Sequence, residues 1–425
     1  MATFFRFCFD YIAYVLKGDK TYWLWLGFLF LLLIPWGYGN YMQFTHGMIV
    51  TGLTDQVSWG LYLANFVFLV GVAAGAVTVV FPAYVYKFEP LHKVTVLGEM
   101  LAIAAVVMCI LFVLSHMGRP DRLWHMVPVI GIFNFPHSML TWDTLVLVVY
   151  GILNFIGGFY YLYQKYNGRP LNNLWYLPLI FVSIVWAFSI HTVTAFLINT
   201  MPARPMWHHG MMPIRFISTA FAAGPCLIII VFLVIREKTK LWIEDAAINM
   251  LSTIVTACLG VALFLTFSEI VTELYHPTEH SGGVQYLMFG KHGLNNLVPW
   301  FWTSLAALVI GFCLLLVPSI RKNHDNLPYI CTMVFFGIWV EKGMGLLIPG
   351  SIPTPIGEFT QYSPTLIEIF NCLGNWAVGF IILTILLKGA IGVLVGDIKN
   401  TEAITEENTE KSTEATGELA TGGAS

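Results

Sequence analysis

Residues 58–84 read SWGLYLANFVFLVGVAAGAVTVVFPAY, a run with no charged side chain. A helix needs about 20 apolar residues to cross the hydrocarbon core of a bilayer, so this segment reads as one complete membrane span. Nine further stretches of the same kind occur, and together the spans fall at about 22–42, 58–84, 95–116, 139–164, 174–200, 213–236, 246–272, 295–318, 328–349 and 370–395. The chain as a whole is 57% hydrophobic and only 11% charged, with a mean hydropathy of +0.74. A soluble domain carries about 25% charged residues. The expected fold is therefore an all-α integral membrane domain. A net charge of -3 gives no electrostatic support for a nucleic-acid partner.

The stretch also repeats. AAGAVTVVFPAYVYKFE (73–89) matches AAGPCLIIIVFLVIREK (222–238) at an offset of 149, and FLINTMP (196–202) corresponds loosely to LLIPGSIP (346–353). The expectation is two four-helix bundles, at about 58–200 and 213–349, with two peripheral helices outside them. An even number of spans per unit keeps both units in one orientation, unlike the inverted repeats of many transporters. Around this domain (21–396), residues 1–20 read as an interfacial N-terminal helix, mixing Phe, Tyr and Ile with Arg6, Asp10 and Lys17. A signal peptide is rejected, because no small-residue cleavage site precedes Trp23. Residues 397–425 carry many Glu and Thr and no aromatic residue, and read as a disordered acidic tail.

Ten spans put both termini on one side. That side holds 15 of the 21 Lys and Arg residues, whereas nine of the 12 His lie in or beside the loops of the opposite face. These nine are His46, His116, His125, His137, His208, His209, His276, His280 and His292. Positive charge stays in the cytoplasm, so the expected topology is an inner-membrane protein with cytoplasmic termini and a His-rich outer face.

Ionisable groups inside a membrane are costly and read as functional by default. His191 lies well inside its span, Asp143 lies about one turn into the fourth, and His116 ends the third. Glu269 and Glu273 share a helix face, Glu341 and Lys342 are adjacent in the ninth span, and Glu99 alone lies in the inner half. Structural roles compete with functional ones. Asp143 could pair with Arg119 or Arg122, His191 could be a packing histidine beside Thr192 and Thr194, and Glu341 and Lys342 could each pair with another helix. The seven Cys are scattered without CxxC or CxxCH, so no iron–sulfur cluster or c-type haem of its own is expected. Two facing haem-ligand histidines at matching depth are not evident either. All seven Cys are assigned to packing.

A cleft near the outer surface lined by His, Asp, Trp and apolar walls suits a quinone, whose ring oxygens need hydrogen-bond and proton partners. The candidate catalytic set is His116, Asp143 and His191, with Trp59, Asn65 and Trp142 as further quinone contacts. Glu99, Glu269 and Glu341 are the candidate proton path.

The runs WGLYLANFVFLVGVAAG (59–75), GRPDRLWHM (118–126), TWDTLVLVVYGILN (141–154) and IHTVTAFLINTMPARPMW (190–207) resemble the NrfD/PsrC family of quinone-interacting membrane subunits. RFISTAFAAGP (215–225), LYHPTEHSGGVQYLMFG (274–290) and WVEKGMGLLIPGSIPTPIGE (339–358) look most like its DsrP branch, membrane anchors of sulfite-reduction-associated complexes. The resemblance spans about residues 20–396. It implies ten helices in two bundles and a menaquinone pocket near the outer surface, with no haem of its own. It also implies an extracytoplasmic iron–sulfur subunit as partner, with a multihaem cytochrome c and further membrane and cytoplasmic subunits. Three functions stay open on the residues: a quinone-reactive subunit of an oxidoreductase complex, a proton-translocating subunit, and a membrane anchor of a related hydrogenase, Qrc or Hmc complex.

Overall fold

The computed structural model describes residues 2–275 and 281–400. Among these residues there is no strand, and ten helices are long and apolar enough to cross a membrane. The protein is an all-α, multi-pass membrane protein. His276 and His280, and most of the acidic tail, lie outside the described residues.

The helices are α1 (Ala2–Val15), α2 (Lys20–His46), α3 (Leu61–Gly75), α4 (Val77–Val85), α5 (Glu89–His92), α6 (Thr95–His116), α7 (Met139–Tyr166), α8 (Asn173–Asn199), α9 (Met212–Lys238), α10 (Asp245–Tyr275), α11 (Gly282–Phe289), α12 (Val298–Leu316), α13 (Pro318–Arg321), α14 (Leu327–Lys342) and α15 (Leu366–Val395). The second span is thus two helices, interrupted at Ala76. The ninth continues beyond Lys342 through a π turn at Gly343–Leu347 and a 3-10 turn at Pro349–Ser351.

Every residue of α3 is buried, as a helix apolar on all sides must be when it forms the centre of a membrane domain. It packs on α6 and α8 within one group of helices, which α7 completes by packing on α6 and α8. It also packs on α9, which begins a second group with α10, α12 and α14. Outside both, α2 and α15 pair with each other, and α15 leans on α6. Two glycines meet where α3 crosses α9. Gly75 and Gly224 are the residues that the 149-residue offset equates, and they meet there: a Cβ on Gly75 would lie 2.6 Å from the Gly224 Cα. Only glycine lets two backbones approach so closely.

Polar side chains fasten the helices near the His-rich face. Asn65 on α3 accepts hydrogen bonds from Trp339 Nε1 (2.9 Å) and Trp376 Nε1 (2.8 Å), tying α3 to α14 and α15. Buried Glu368 accepts from Tyr362 Oη (2.8 Å) and from the backbone N–H groups of Gly52 (2.7 Å) and Thr365 (3.0 Å). At the opposite face, α1 buries Phe7, Tyr11 and Val15, one residue per turn, and turns Phe5, Phe9 and Leu16 outward. Tyr11 donates to the Leu386 carbonyl (2.8 Å) and Tyr166 to Asp10 (2.7 Å). The first residues after α15 are packed as well. Asp397 accepts from Tyr14 (3.0 Å), and the Asn400 N–H donates to the Tyr166 carbonyl (2.9 Å). Residues 401–425 lie outside the described residues.

Candidate functional site

The line between the two helix groups carries most of the buried ionisable chemistry. His191, on α8, is 1% exposed, and neither ring nitrogen has a hydrogen-bond partner. Its ring packs against Phe216 of α9 at 5.0 Å between centroids. Lys342, at the end of α14, places its Nζ 3.5 Å from the centre of the same Phe216 ring and has no hydrogen-bond partner. The two cation-capable groups share a narrow crevice with Phe68, Gly71, Thr219, Ala220, Ala223 and Ile338. Gly71 gives the imidazole room, since a Cβ there would lie 3.0 Å from His191 Cε1.

Three residues on from His191, and so on the same helix face, Thr194 donates from Oγ1 to Asp143 Oδ1 at 2.6 Å. Asp143 is 4% exposed. Arg119, considered from sequence as its counter-ion, pairs instead with exposed Asp121 at 2.8 Å. Asp143 therefore sits in the membrane domain with a hydroxyl partner rather than a charged one. His116 ends α6 with a buried Nδ1 that has no partner.

Toward the second group, Arg215 of α9 gathers the acids. It donates from Nε (3.0 Å) and Nη2 (2.6 Å) to Glu341 Oε1 on α14, and from Nη1 to Glu269 Oε2 on α10. Glu341 Oε2 has no partner. The adjacent residues Glu341 and Lys342 thus face different neighbours, as their spacing requires, but Lys342 meets an aromatic face and not an acid. Glu99 stands apart from this line. It is 3% exposed, its Oε2 has no partner, and a Cβ on Gly158 would lie 3.0 Å from that oxygen.

A cavity of about 670 Å³ opens at the His-rich face beside α9 and α10, lined by His208, His209, Arg215, Glu269 and apolar residues including Met206 and Phe264. His209 Nε2 is buried without a hydrogen-bond partner, 3.9 Å from Glu269 Oε1. Burial lowers the His209 pKa from the usual imidazole value; Glu269 opposes the shift, and Arg215 and His208 add to it.

Of the residues read from sequence, the structure brings His191 and Asp143 together through Thr194, and Glu269 and Glu341 together through Arg215. Trp59 stacks on Trp207 at 5.3 Å, and Trp207 donates to the Leu346 carbonyl at 3.1 Å. Trp142 is 36% exposed and donates to the Pro136 carbonyl at 2.8 Å. Asn65 is taken up by its two tryptophans. Sequence reasoning gives neither Lys342 nor Arg215 a site role. A lysine and an arginine within apolar spans are the signal that could have found them. Among the described residues, no group of three or more His, Cys, Asp or Glu is placed to hold a metal ion.

Comparison with known proteins agrees with this architecture. The family model described as "Polysulphide reductase, NrfD" matches residues 49–353, and the chain belongs to that family. It is 23% identical over 389 residues to a selenate reductase subunit of Mesobacillus selenatarsenatis, covering 81% of this chain and 87% of that protein. It is 21% identical over 394 residues to the Hdr-like menaquinol oxidoreductase integral membrane subunit of Archaeoglobus fulgidus, covering 88% and 94%. Similarity to the menaquinone reductase integral membrane subunit of Nitratidesulfovibrio vulgaris is 21% over 384 residues, covering 84% and 86%.

Proposed function

We propose that this NrfD-family chain is the quinone-reactive membrane subunit of a respiratory complex, exchanging electrons between menaquinone and an iron–sulfur protein docked on its His-rich face. The observation that carries the reading is His191, a fully buried imidazole with neither nitrogen hydrogen-bonded, in a crevice shared with Lys342 and one helical turn from the Thr194–Asp143 pair. Leaving buried polar groups unpartnered costs about 1–3 kcal/mol each, so groups with no structural return point to chemistry. Two of the relatives carry menaquinone or menaquinol in their names.

Menaquinone, when bound, supplies a two-electron, two-proton couple with two ring oxygens. The donor set fits such a group. His191 presents one N–H and one lone pair, which exchange with its tautomer. Asp143 holds or releases a proton while Thr194 keeps one of its oxygens in place. Lys342, in its protonated form, adds positive charge where the ring oxygens gain negative character. Gly71, Ala220 and Ala223 present little bulk to the crevice. His116, Trp59, Asn65 and Trp142 do not line this crevice, and the proposed site is His191, Asp143, Thr194 and Lys342.

The docking surface is proposed on residues 117–138, 201–214 and 274–294, of which 276–280 lie outside the described residues. Val129, Ile130 and Ile132 are exposed together in the first of these segments, and a contiguous exposed apolar patch marks an interaction site. The charge asymmetry makes this face extracytoplasmic and both termini cytoplasmic. The tie to sulfite or sulfate chemistry, and to a multihaem cytochrome c and cytoplasmic subunits, rests on the motif resemblance of 215–225, 274–290 and 339–358.

The test is to purify the intact complex, extract and identify its quinone, and measure quinol-dependent reduction of an artificial acceptor. An assembled complex that neither holds quinone nor oxidises quinol would sink the reading. A second reading, proton movement across the membrane, is favoured by Glu99, whose buried unpartnered oxygen lies in the other half. Quinol pulses to sealed vesicles would then drive a pH change that Glu99→Gln abolishes.

A further inference from the structure

The cavity of about 670 Å³ beside α9 and α10 is separate from the site just described, for none of His116, Asp143, His191 and Lys342 lines it. We propose that this cavity is a second isoprenoid-quinone site, binding the ring between His209 and Glu269 and the tail along Phe264. The inference rests on the quinone reading above and adds a position to it.

The polar end has the geometry of a ring-oxygen cradle. His209 Nε2 has no hydrogen-bond partner and stands 3.9 Å from Glu269 Oε1. An oxygen about 2.8 Å from both would subtend roughly a right angle between them. A quinol hydroxyl placed there donates to the carboxylate and accepts from the imidazole N–H; a quinone carbonyl accepts from the imidazole alone. Glu269 cannot swing away, because Arg215 holds its other oxygen and is itself held by Glu341.

The remainder of the cavity suits a chain of hydrocarbon. Phe264, Ser268 and Thr272 line it at one-turn spacing along α10, and Phe264 is 69% exposed. On a membrane-length helix that exposure faces lipid. Phe264 is 11 residues before the end of α10 at Tyr275, which places it about 16 Å below that end. The cavity therefore has a polar head near the surface and an apolar side door at acyl-chain depth. Its volume lies in the range of about 300–1,000 Å³ typical of small-molecule pockets.

The charges select against the other amphiphile at hand. Among the described residues, the charged ones lining the cavity are Arg215, Glu269 and Glu273, and Arg215 is already shared between two carboxylates. A phospholipid phosphate would meet Glu269 beside an arginine already held by two carboxylates, whereas a neutral ring meets a donor and an acceptor.

The experiment uses the purified complex with a photoreactive azidoquinone and a photoreactive phospholipid, and maps labelled peptides by mass spectrometry. Azidoquinone should label both the 264–272 and 202–211 peptides and, separately, the helices around His191. Ser268→Phe fills the cavity and should remove the first label while sparing the second, with bound quinone falling by about half. Thr272→Trp serves where Ser268→Phe fails to assemble. Azidoquinone label confined to the His191 region, label at 264–272 unchanged by both variants, or labelling there by the phospholipid alone would overturn the second site. No quinone label anywhere would overturn the quinone reading along with it.

Discussion

Asp143→Asn separates a proton-handling residue from a packing residue. The substitution keeps the size of a side chain that is only 4% exposed, and the amide oxygen can still accept the Thr194 hydroxyl now 2.6 Å from Oδ1. What it adds is a buried NH2 group in place of the other oxygen, for a stability cost of about 1–3 kcal/mol if no acceptor is found. What it removes is the capacity to bind and release a proton. Loss of one acid–base group typically costs about 10²–10⁴-fold in rate, or about 2.7–5.4 kcal/mol of barrier. The expected result is a complex that assembles, with a small drop in thermal midpoint, and oxidises quinol at least about 10²-fold more slowly. Thr194→Val is the companion variant. It frees the carboxylate without removing it and should produce an intermediate loss. The assay is quinol-dependent acceptor reduction by the purified complex, with subunit stoichiometry checked in the same preparation. An assembled Asn variant turning over at the parent rate would refute the reasoning and leave Asp143 a helix-packing residue.

His191→Leu deletes two buried nitrogens that have no partners, so stability should hold or rise by about 1 kcal/mol while quinone turnover is lost; a large fall in thermal midpoint would reveal a structural role instead. Arg215→Met strands Glu269 and Glu341, and should cost about 3–5 kcal/mol and impair assembly. Glu269→Gln and Glu341→Gln together should restore much of that loss, and failure of this rescue would show that the charges are not what Arg215 serves. His209 has its pKa lowered chiefly by burial, so in acid the folded protein binds fewer protons than the unfolded chain. Its contribution is complete above the ordinary imidazole value of about 6.5 and is lost as the pH falls through the folded pKa. The thermal midpoint in detergent should therefore fall on acidification below about pH 6.5, with a shallower slope in His209→Gln; an unchanged slope would assign the effect to other groups.

The sequence by itself determined the membrane class, the ten spans, and the face on which the histidines gather. These depend on local quantities, namely the length of apolar runs against bilayer thickness and the sorting of charge between loops. The two AAG segments were conspicuous too, and their glycines, Gly75 and Gly224, permit the close α3–α9 crossing. His191 and Asp143 could be singled out because a titratable group in a span is conspicuous. Their partners could not. Arg215 meets Glu269 and Glu341 across 54 and 126 residues of sequence, and Lys342 comes to share a ring with His191 only through the packing of α9 between α8 and α14. Hydropathy shows that a polar group is inside the membrane, but which way it points is set by helix rotation. Rotation depends on contacts among helices distant in the chain. For the same reason, only the tertiary structure decided that Asn65 is held by Trp339 and Trp376, and that the large cavity opens beside Glu269.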